Sequence, residues 1–445
     1  MKWWIGASTL GLALGGIAYT ATAQQAAPRP APRAAVAPQG LPNRALPTTA
    51  ALLQGYVTGN KTNGVVAAIG RGDAAPTILA YGKLSEDAGA RSVDADSLWR
   101  VYSMTKPVAA MAAMILIEEG KLKLDQPISD LIPAFGNMKV LVDPNATEGL
   151  ASRPAARPIT VRHLMTHTAG LGYSIITKGP LLKEYERLGI NPAQVNAAAE
   201  AQMRKTRPAT LEAFADAVAK APLIADPGTK WSYSIGLDVL GRVIEVASGM
   251  SFDGFLKARI FDPLDMRSSF FTVPANDVGR LASVYTFVGS NRIPFDPAAT
   301  SVYLQKPSFP YGGAGLVMSA RDYDRFLHML QNGGTLDGKR IMKPETVKLA
   351  ISNLLPAGVT FGGVGGETGG SGSSGFGAGG SVALTDTPGG PRAGTYGWGG
   401  AAGTIAWVDP KNQVRGTVMV NYFPANQYPL RAEATKAVYA DVGRR

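Results

Sequence analysis

The sequence predicts an α/β (α+β) fold in which helices flank an antiparallel sheet and a mainly helical lobe is inserted. Runs of β-branched and aromatic residues occur near both ends of the chain, whereas the middle consists of helical segments separated by loops with Pro and Gly. Of the 445 residues, 45% are hydrophobic and 17% are charged, so the chain can bury a large core. We therefore expect the terminal strands to share one sheet, with the helical middle inserted between them.

The first 23 residues have the pattern of a secretory signal. Lys2 precedes an apolar stretch over residues 3–19, and Ala21 and Ala23 form an A-x-A cleavage pattern. Because the apolar stretch is short for a stable span, we expect cleavage after Ala23, no stable membrane insertion afterwards, and a periplasmic or secreted location. Residues 24–48 are rich in Ala and Pro without an acidic residue, which predicts an extended tether.

Composition also excludes several kinds of site. The absence of Cys excludes disulfides, thiolate metal sites and a cysteine nucleophile. The net charge of +11 is spread along the chain without a Lys/Arg block, so nucleic acid is not an expected partner. The Gly-rich stretch 361–380 lacks the G-K-[ST] of a phosphate loop. It predicts a low-complexity loop, with a lid as the alternative, and we expect no cofactor.

The α/β part of the predicted domain, 49–445, comprises 49–121 and 305–445. Near its start, "TTAALLQGYV" predicts an amphipathic helix, and "GVVAAIGRG" and "TILAYGKL" around "DAAP" predict a β-hairpin. A helix from about Lys106 to Glu119 should end at Gly120, and its apolar residues on every face predict that other elements enclose it.

The helical lobe is predicted over 122–304. There "TVRHLMTHTAGL" opens with a Thr cap, and "TLEAFADAVAKAPL" and "SIGLDVLGRVIEVASG" have helical spacing. A further helix after Ser319, its N-cap, begins the last part of the chain. The end of the Gly-rich stretch, "SVALTD", "YGWGGAAGTIAWVDP" and "QVRGTVMVNYF" predict an antiparallel meander, followed by a helix in "RAEATKAVYADV".

The segment "SMTK" offers a candidate nucleophile. Ser103 and Lys106 are three residues apart, so on a helix their side chains share a face and Oγ can meet Nζ. A serine hydroxyl is a poor nucleophile until a base takes its proton, and a helix N-terminus favours developing negative charge. A buried helix normally excludes lysine. The position of Lys106 therefore indicates either a solvated rim residue or a chemical task.

Two later segments carry further candidates. In "PGTKWSYSIGLDVLG", Tyr233 follows a Pro-Gly turn and precedes a helix, so its hydroxyl can project into a cleft. In "YGWGGAAGTIAWVDP", Gly399 and Gly400 allow close approach of a substrate or another backbone. On these residues alone, an ordinary core tyrosine and an ordinary hairpin bulge remain open.

Taken in order, five blocks resemble the serine hydrolases of the class C β-lactamase superfamily, which includes penicillin-binding DD-peptidases and the β-lactamase-like (family VIII) carboxylesterases. The blocks are "SMTK", "ITVRHLMTHTAGL", "PGTKWSYSIGLDVLGRVIE", "YGGAGLVMSARDYDRFL" and "WGGAAGTIAWVDP". The resemblance extends from about Leu52 to the C-terminus. It implies a serine β-lactamase-like fold for the predicted hydrolase domain, 49–445.

The resemblance implies a role for each side chain of the first two motifs. Ser103 would be the acylated nucleophile and Lys106 its hydrogen-bonded partner. Tyr233 would be the phenolate-like base that takes the serine proton and passes it to the leaving group. Tyr173, in "GYSII", is a second candidate for the base, but it lacks a preceding "PGTKW".

The third motif, usually Lys-Thr-Gly or His-Thr-Gly in lactamases, aligns on Trp398, Gly399 and Gly400. The resemblance implies that this segment contacts the substrate. The backbone N–H of Ala401 would then pair with that of Ser103 as an oxyanion hole.

Two departures from the lactamase pattern bear on specificity. The second motif of class C lactamases is Tyr-x-Asn, and here the third position is Ile235. The cationic residue of the third motif is replaced by Trp398. An aromatic residue suits an uncharged acyl or alcohol group, so we expect hydrolysis of small to medium, mostly neutral esters.

Several alternatives remain open at this point. They are β-lactamase or D-amino-acid peptidase activity, acyl transfer to an alcohol, and a catalytically weak peptidoglycan-binding protein. The expected partner is a small-molecule ester or β-lactam, and the sequence does not set the oligomeric state. The chain contains no G-x-S-x-G elbow. His163 and His167, expected on one helix at i, i+4, are interpreted as structural because only His328 remains as a third histidine.

Overall fold

The structure is a computed structural model that describes residues 46–289, 291–364 and 373–443. The predicted signal, 1–23, lies outside these residues, as does the predicted tether up to residue 45. The described residues fall within one compact unit. The domain boundaries proposed from the sequence stay predictions.

Helices α1 to α11 are, in chain order, Pro47–Thr58, Thr105–Glu118, Val161–Met165, Gly179–Arg187, Ala197–Met203, Leu211–Lys220, Gly236–Ser248, Phe252–Leu256, Ala320–Gln331, Pro344–Ala350 and Leu430–Val442. A π-helical turn, Lys257–Phe261, extends α8. Strands β1 to β17 are Gly64–Arg71, Thr77–Gly82, Leu98–Arg100, Lys139–Leu141, Ser152–Pro154, Ser269–Phe270, Val284–Val288, Asn291–Asp296, Val317–Ser319, Thr335–Leu336, Lys339–Arg340, Ser374–Phe376, Ser381–Ala383, Tyr396–Gly399, Ile405–Asp409, Val414–Met419 and Tyr422–Phe423.

The main sheet joins the two ends of the chain. Its strand order is β12-β13-β14-β15-β16-β1-β2, and all neighbouring strands are antiparallel. The N-terminal hairpin β1–β2 pairs with C-terminal β16, with Val66 opposite Met419. The predicted fold class, the hairpin and the C-terminal meander are therefore confirmed.

Both faces of this sheet are covered by helices. Side chains alternate across a strand, so Val65, Ala67 and Ile69 pack in a core with residues of α1 and α11. Val66 and Ala68 point into a larger core that includes residues of α2 and α9. Coverage on both sides explains why β1 is buried along nearly its whole length.

The middle of the chain contains the expected helices and several strands that were not expected. Helices α3, α6 and α7 occupy the segments predicted to be helical, and Thr160 caps α3. The expectation of helices and loops alone was wrong, because β4 pairs with β5 and β7 with β8. The run of β-branched and aromatic residues in "VYTFV", followed in the sequence by Gly-Ser-Asn, was the signal for the β7–β8 pair.

Helix α2 is enclosed on all sides, as predicted. Its residues from Thr105 to Leu116 are buried, and Gly120 follows the helix with φ of +72°. Ser103, however, is not part of the α-helix. It lies in a short 3₁₀ turn, Tyr102–Met104, directly before α2.

The end of the Gly-rich stretch is packed structure. Gly379 has φ of +75°, and a Cβ atom there would lie 2.5 Å from the carbonyl oxygen of Lys106. Its N–H donates to the Met165 carbonyl at 3.1 Å. Residues 365–372, where a lid was the alternative, lie outside the described residues.

In the described ranges, no helix combines the length and the apolar character that a membrane span needs.

Candidate active site

A strained turn presents the candidate nucleophile. Tyr102 has φ of +41°, in a region that costs a non-glycine residue roughly 1–2 kcal/mol. Its ring is held edge-on by Tyr303 and Phe423, at centroid distances of 6.3 and 5.4 Å. Ser103 follows this turn and is half-buried between two buried neighbours. An observed backbone outlier of this kind is typical of functional sites.

Neighbouring elements fix the start of α2 behind this turn. The Tyr323 hydroxyl, on α9, donates to the Met104 carbonyl at 3.0 Å. The Leu316 N–H donates to Thr105 Oγ1 at 3.1 Å. These bonds hold the first turn of α2 against α9 and the segment before β9.

Lys106 is completely buried and reaches back to the serine. Its Nζ lies 3.3 Å from Ser103 Oγ and donates to the Gly313 carbonyl at 2.8 Å. It also lies 4.5 Å from the ring centre of Tyr233 and 5.3 Å from that of Tyr173. Aromatic faces attract a cation at such distances, so Lys106 is confined on several sides.

Tyr233 completes the cluster. Its hydroxyl donates to Ser103 Oγ at 2.7 Å, and the side chain is 4% exposed. The structure thus brings together Ser103, Lys106 and Tyr233, the three residues to which the sequence assigned the chemistry. Tyr173 packs its ring 5.5 Å from that of Tyr233, and within the described residues its hydroxyl forms no hydrogen bond with Ser103.

The two histidines of the α3 region have different surroundings, and His167 packs against Tyr233. They do not share one helix as predicted, because α3 ends at Met165 and His167 adopts φ of +58°. His167 Nδ1 accepts from the Ser234 N–H at 3.2 Å, and its ring lies 4.7 Å from that of Tyr233. Burial and the charge of Lys106 hold the pKa of His167 well below its ordinary value, so the ring is neutral.

His163 belongs to the cap of α3. Its Nδ1 accepts from the Thr160 N–H at 3.2 Å, and burial lowers its pKa to about 4. Among the described residues, no group of three or more His, Asp or Glu side chains is arranged to hold a metal ion.

The third motif lies against the serine turn. Trp398, on β14, donates its Nε1 hydrogen to the Tyr233 hydroxyl at 3.4 Å. A Cβ atom on Gly400 would lie 2.3 Å from the Val101 carbonyl; glycine at this position therefore lets the strand end approach the chain just before Ser103. Ala401 is exposed in the turn that follows.

An aromatic wall surrounds the cluster and is defined here as Trp231, Tyr233, Phe361, Phe376 and Trp398. Trp398 lies 5.8 Å from Tyr233, 5.2 Å from Phe376 and 6.2 Å from Phe361, measured between ring centres. Trp231 stacks at 6.3 Å on Tyr233. These contacts make one side of the site apolar.

Ile235 and Arg431 lie at or next to the positions where this chain departs from the class C lactamase motifs. Ile235, at the position of the missing Asn, is fully buried in the main core. Arg431, from the first turn of α11, donates to the Gly400 carbonyl. A Cβ atom on Gly399 would lie 2.8 Å from its guanidinium carbon. The third motif therefore has a cation beside it that comes from elsewhere in the chain.

The sequence reasoning missed Asp238 and Gly313. Asp238 is fully buried, and its Oδ1 accepts from the Gly313 N–H at 2.9 Å. Burial raises the pKa of Asp238 to about 7, against the opposing effect of Lys106. An acidic residue inside the apolar run "SIGLDVLG" was the signal that could have found it.

A helix-covered antiparallel sheet, with a Ser-Lys-Tyr cluster at the start of a buried helix, defines the class of β-lactamase-like proteins. The sequence model of the family described as Beta-lactamase matches residues 49–440. The chain belongs to this family, and the resemblance found in the sequence is confirmed.

Three relatives illustrate the range of similar proteins. An uncharacterized protein of Mycobacterium tuberculosis is 33% identical over 275 residues, which cover 60% of this chain and 64% of that relative's length. Esterase EstB of Burkholderia gladioli is 32% identical over 382 residues, covering 81% of this chain and 86% of EstB. The solved structure of EstCE1, titled a hydrolase with promiscuous acyltransferase activity, superimposes with a TM-score of 0.71 at 25% identity, covering 89% and 99% of the two chains.

Proposed function

We propose that this protein is a serine esterase that cleaves small to medium, mostly uncharged carboxylic esters through an acyl-enzyme on Ser103. One observation carries the proposal. Ser103 Oγ lies within hydrogen-bond reach of both Lys106 Nζ and Tyr233 Oη, at 3.3 and 2.7 Å, beside the aromatic wall. The similarity of the chain to Esterase EstB also supports this proposal.

In the proposed acylation, Tyr233 acts in its phenolate form: Ser103 Oγ bonds to the ester carbonyl carbon, the carbonyl π bond breaks to give an oxyanion, and the Ser103 proton passes to the phenolate oxygen. Lys106 holds a positive charge next to this transfer. The backbone N–H groups of Ser103 and Ala401 would receive the developing oxyanion, a contribution of about 2.7–4 kcal/mol for each donor. Breakage of the carbon–oxygen bond then releases the alcohol, which takes the proton.

Deacylation repeats these steps with water as the nucleophile. Water attacks the acyl carbon, its proton passes to Tyr233, and Ser103 leaves with the proton. An alcohol in place of water would give acyl transfer, the activity named together with hydrolysis for EstCE1. The aromatic wall favours acyl transfer because it can bind an apolar alcohol next to the acyl group.

A second candidate, β-lactam hydrolysis, is favoured by Arg431. Its guanidinium lies beside the third motif, where it could pair with the carboxylate of a β-lactam or a peptide terminus. Against this candidate stand the buried Ile235 at the position of the missing amide and the aromatic Trp398 in place of the motif's own cation.

We further propose that the protein is exported. The support is the signal pattern over 1–23 and the Ala/Pro-rich segment 24–48. N-terminal sequencing of the protein recovered from the periplasm or medium should begin at Gln24, and a cytoplasmic chain that retains residues 1–23 would contradict export.

The direct test compares the mature protein with its Ser103→Ala variant on p-nitrophenyl acetate, p-nitrophenyl butyrate and a chromogenic cephalosporin. We expect fast ester turnover, little cephalosporin turnover and loss of both in the variant. Thermal unfolding of the variant controls for folding: Ser103 caps no helix, and even the loss of an N-cap residue would cost only about 0.5–2 kcal/mol.

Three other results of this assay would each support a different conclusion. Cephalosporin turnover faster than ester turnover would select the second candidate. Wild-type turnover by folded Ser103→Ala would remove Ser103 as the nucleophile. A stoichiometric burst without steady turnover would indicate a binding protein in place of an enzyme.

A further inference from the structure

Asp238 is a buried carboxylate that the proposed chemistry does not use. It lies in the first turn of α7 and is fully inaccessible to solvent. Its Oδ1 accepts from the Gly313 N–H at 2.9 Å, whereas within the described ranges its Oδ2 has no hydrogen-bond partner. A buried charged group without full hydrogen bonding is expensive, so its presence calls for a compensating charge nearby.

The compensating positive charge comes from Lys106. Among the residues that the structure describes, Lys106 Nζ has two hydrogen-bond partners, Ser103 Oγ and the Gly313 carbonyl, and both are neutral oxygens. Gly313 therefore connects the two charged side chains, because its carbonyl accepts from Lys106 and its N–H donates to Asp238. A buried ammonium with neutral partners requires a nearby negative charge.

The residue at 313 must be glycine for this arrangement. A Cβ atom there would lie 2.6 Å from Asp238 Oδ2 and 3.2 Å from its Cγ. The preceding Gly312 is equally constrained, since its Cβ would lie 2.2 Å from the Leu237 carbonyl. The two glycines of "YGGAG" thus allow this loop to dock on the start of α7.

In the described part of the chain, two titratable groups interact electrostatically with Asp238: Lys106 on α2 and Tyr173 in the loop after α3. Tyr233 and His167 lie beyond them, with ring centres 5.5 Å from Tyr173 and 4.7 Å from Tyr233, respectively. Tyr173 has its pKa raised by burial and by Asp238, and His167 is neutral. Lys106 is therefore the cation in this group that opposes the charge of Asp238.

We propose that Asp238 is a positioning residue that acts through Gly313 to balance the charge of Lys106 and to hold its Nζ against Ser103 Oγ. The inference deepens the proposed function, on which it rests. Asp238 touches neither substrate nor the reacting atoms. Its ionised form supports the reaction, and its raised pKa means that this form is gained near neutral pH.

The test is Asp238→Asn in the mature protein, which keeps the shape and an oxygen to accept from Gly313 but removes the charge. Asp322→Asn is a matched control. Asp322 is also a buried aspartate in the first turn of a helix, it has a pKa raised to about 6 by burial, and it bonds to Ser268 and Ser269 away from the cluster.

We expect Asp238→Asn to lower kcat for p-nitrophenyl butyrate about tenfold or more with KM within about twofold, the pattern of a loss confined to the transition state. Wild-type kcat should rise with pH through about 7 as Asp238 ionises, and the variant should lack this rise. Asp322→Asn should keep the wild-type pH profile.

Thermal stability provides an independent readout. Because the pKa of Asp238 is raised from 3.8 to about 7 in the folded state, the folded protein binds this proton more tightly, and stability is lost as pH rises through that window. The Tm of Asp238→Asn relative to wild type should therefore increase between about pH 4 and pH 7. If Asp238 had only a structural role, its replacement by Asn would not both raise the relative Tm with pH and lower ester turnover.

A second variant covers the case in which Asp238→Asn fails to fold. Gly313→Ala keeps both charges but displaces the carboxylate, and it should lower kcat with the same small change in KM. If folded Asp238→Asn and Gly313→Ala both retain wild-type kcat and pH profile, the inference is wrong. If wild-type protein itself has no ester turnover, the proposed function fails instead.

Discussion

In the proposed mechanism, the proton of Ser103 has a short route to Tyr233. Tyr233 is the residue on which that route depends, since its hydroxyl contacts Ser103 Oγ on one side and receives a hydrogen bond from Trp398 on the other. Its ring is fixed by the stacked Trp231 and by His167. Removing the hydroxyl alone should therefore leave the packing in place.

Tyr233→Phe tests this role. We expect kcat for p-nitrophenyl butyrate to fall about 10²–10⁴-fold, the usual contribution of general acid–base catalysis, with Tm close to that of wild type. Tyr173→Phe is the matched variant, because Tyr173 also packs against Lys106 yet does not reach Ser103. It should lose less than about tenfold. A larger loss in Tyr173→Phe than in Tyr233→Phe would assign the base to Tyr173.

At the scale of elements, the site depends on how separate segments are fixed to the sheet. Helix α1, at the start of the described chain, is capped by the last helix. Pro47 occupies its first position and has no N–H, and the next two N–H groups, of Thr48 and Thr49, donate to Asp441 at 3.0 and 2.8 Å. The packing of α1 on α11 closes the face of the sheet opposite the active site.

Asp441→Ala should destabilise this contact by about 1–3 kcal/mol, because it leaves helix N–H groups unsatisfied. Burial raises the pKa of Asp441, but the bonds from Thr48 and Thr49 outweigh it and hold the pKa below 3.8. The contribution is therefore complete above pH 3.8 and is lost as pH falls through the lower, folded-state pKa.

Denaturant unfolding at neutral and acidic pH measures this effect. Lys436→Ala, an exposed change on the same helix, serves as the control and should change stability by less than about 0.5 kcal/mol. Equal unfolding midpoints for Asp441→Ala and the control at neutral pH would contradict the capping role. Ester turnover should remain in both variants.

For the whole molecule, the sequence predicted the order of the major elements but not every pairing. Runs of β-branched and aromatic residues identified β1, β2 and the C-terminal meander, and caps identified α3 and α9 through Thr160 and Ser319. The β7–β8 pair was missed because its flanking sequence reads as loop, although β7 itself consists of β-branched and aromatic residues. The joining of the two chain ends in one sheet was expected because strands at both termini surround helices.

The cluster of Ser103, Lys106 and Tyr233 was predictable from motifs, whereas its surroundings were not. The Asp238–Gly313 contact joins residues 75 positions apart, and nothing local in either segment specifies the partner. The displacement of Ser103 into a turn before α2 depends on the positive φ of Tyr102, which aromatic contacts stabilise. The cation of Arg431 also reaches the third motif only through the docking of α11.

The central claim is that catalysis proceeds through an ester bond between the substrate's acyl group and Ser103. Acid-quenched mixtures of the mature protein with p-nitrophenyl butyrate, sampled within the first turnovers, allow a direct measurement by intact-protein and peptide mass spectrometry. We expect one butyryl group per chain, located on the peptide that contains Ser103 and absent from Ser103→Ala. Steady ester turnover without an adduct at Ser103, or an adduct on another residue, would contradict the account.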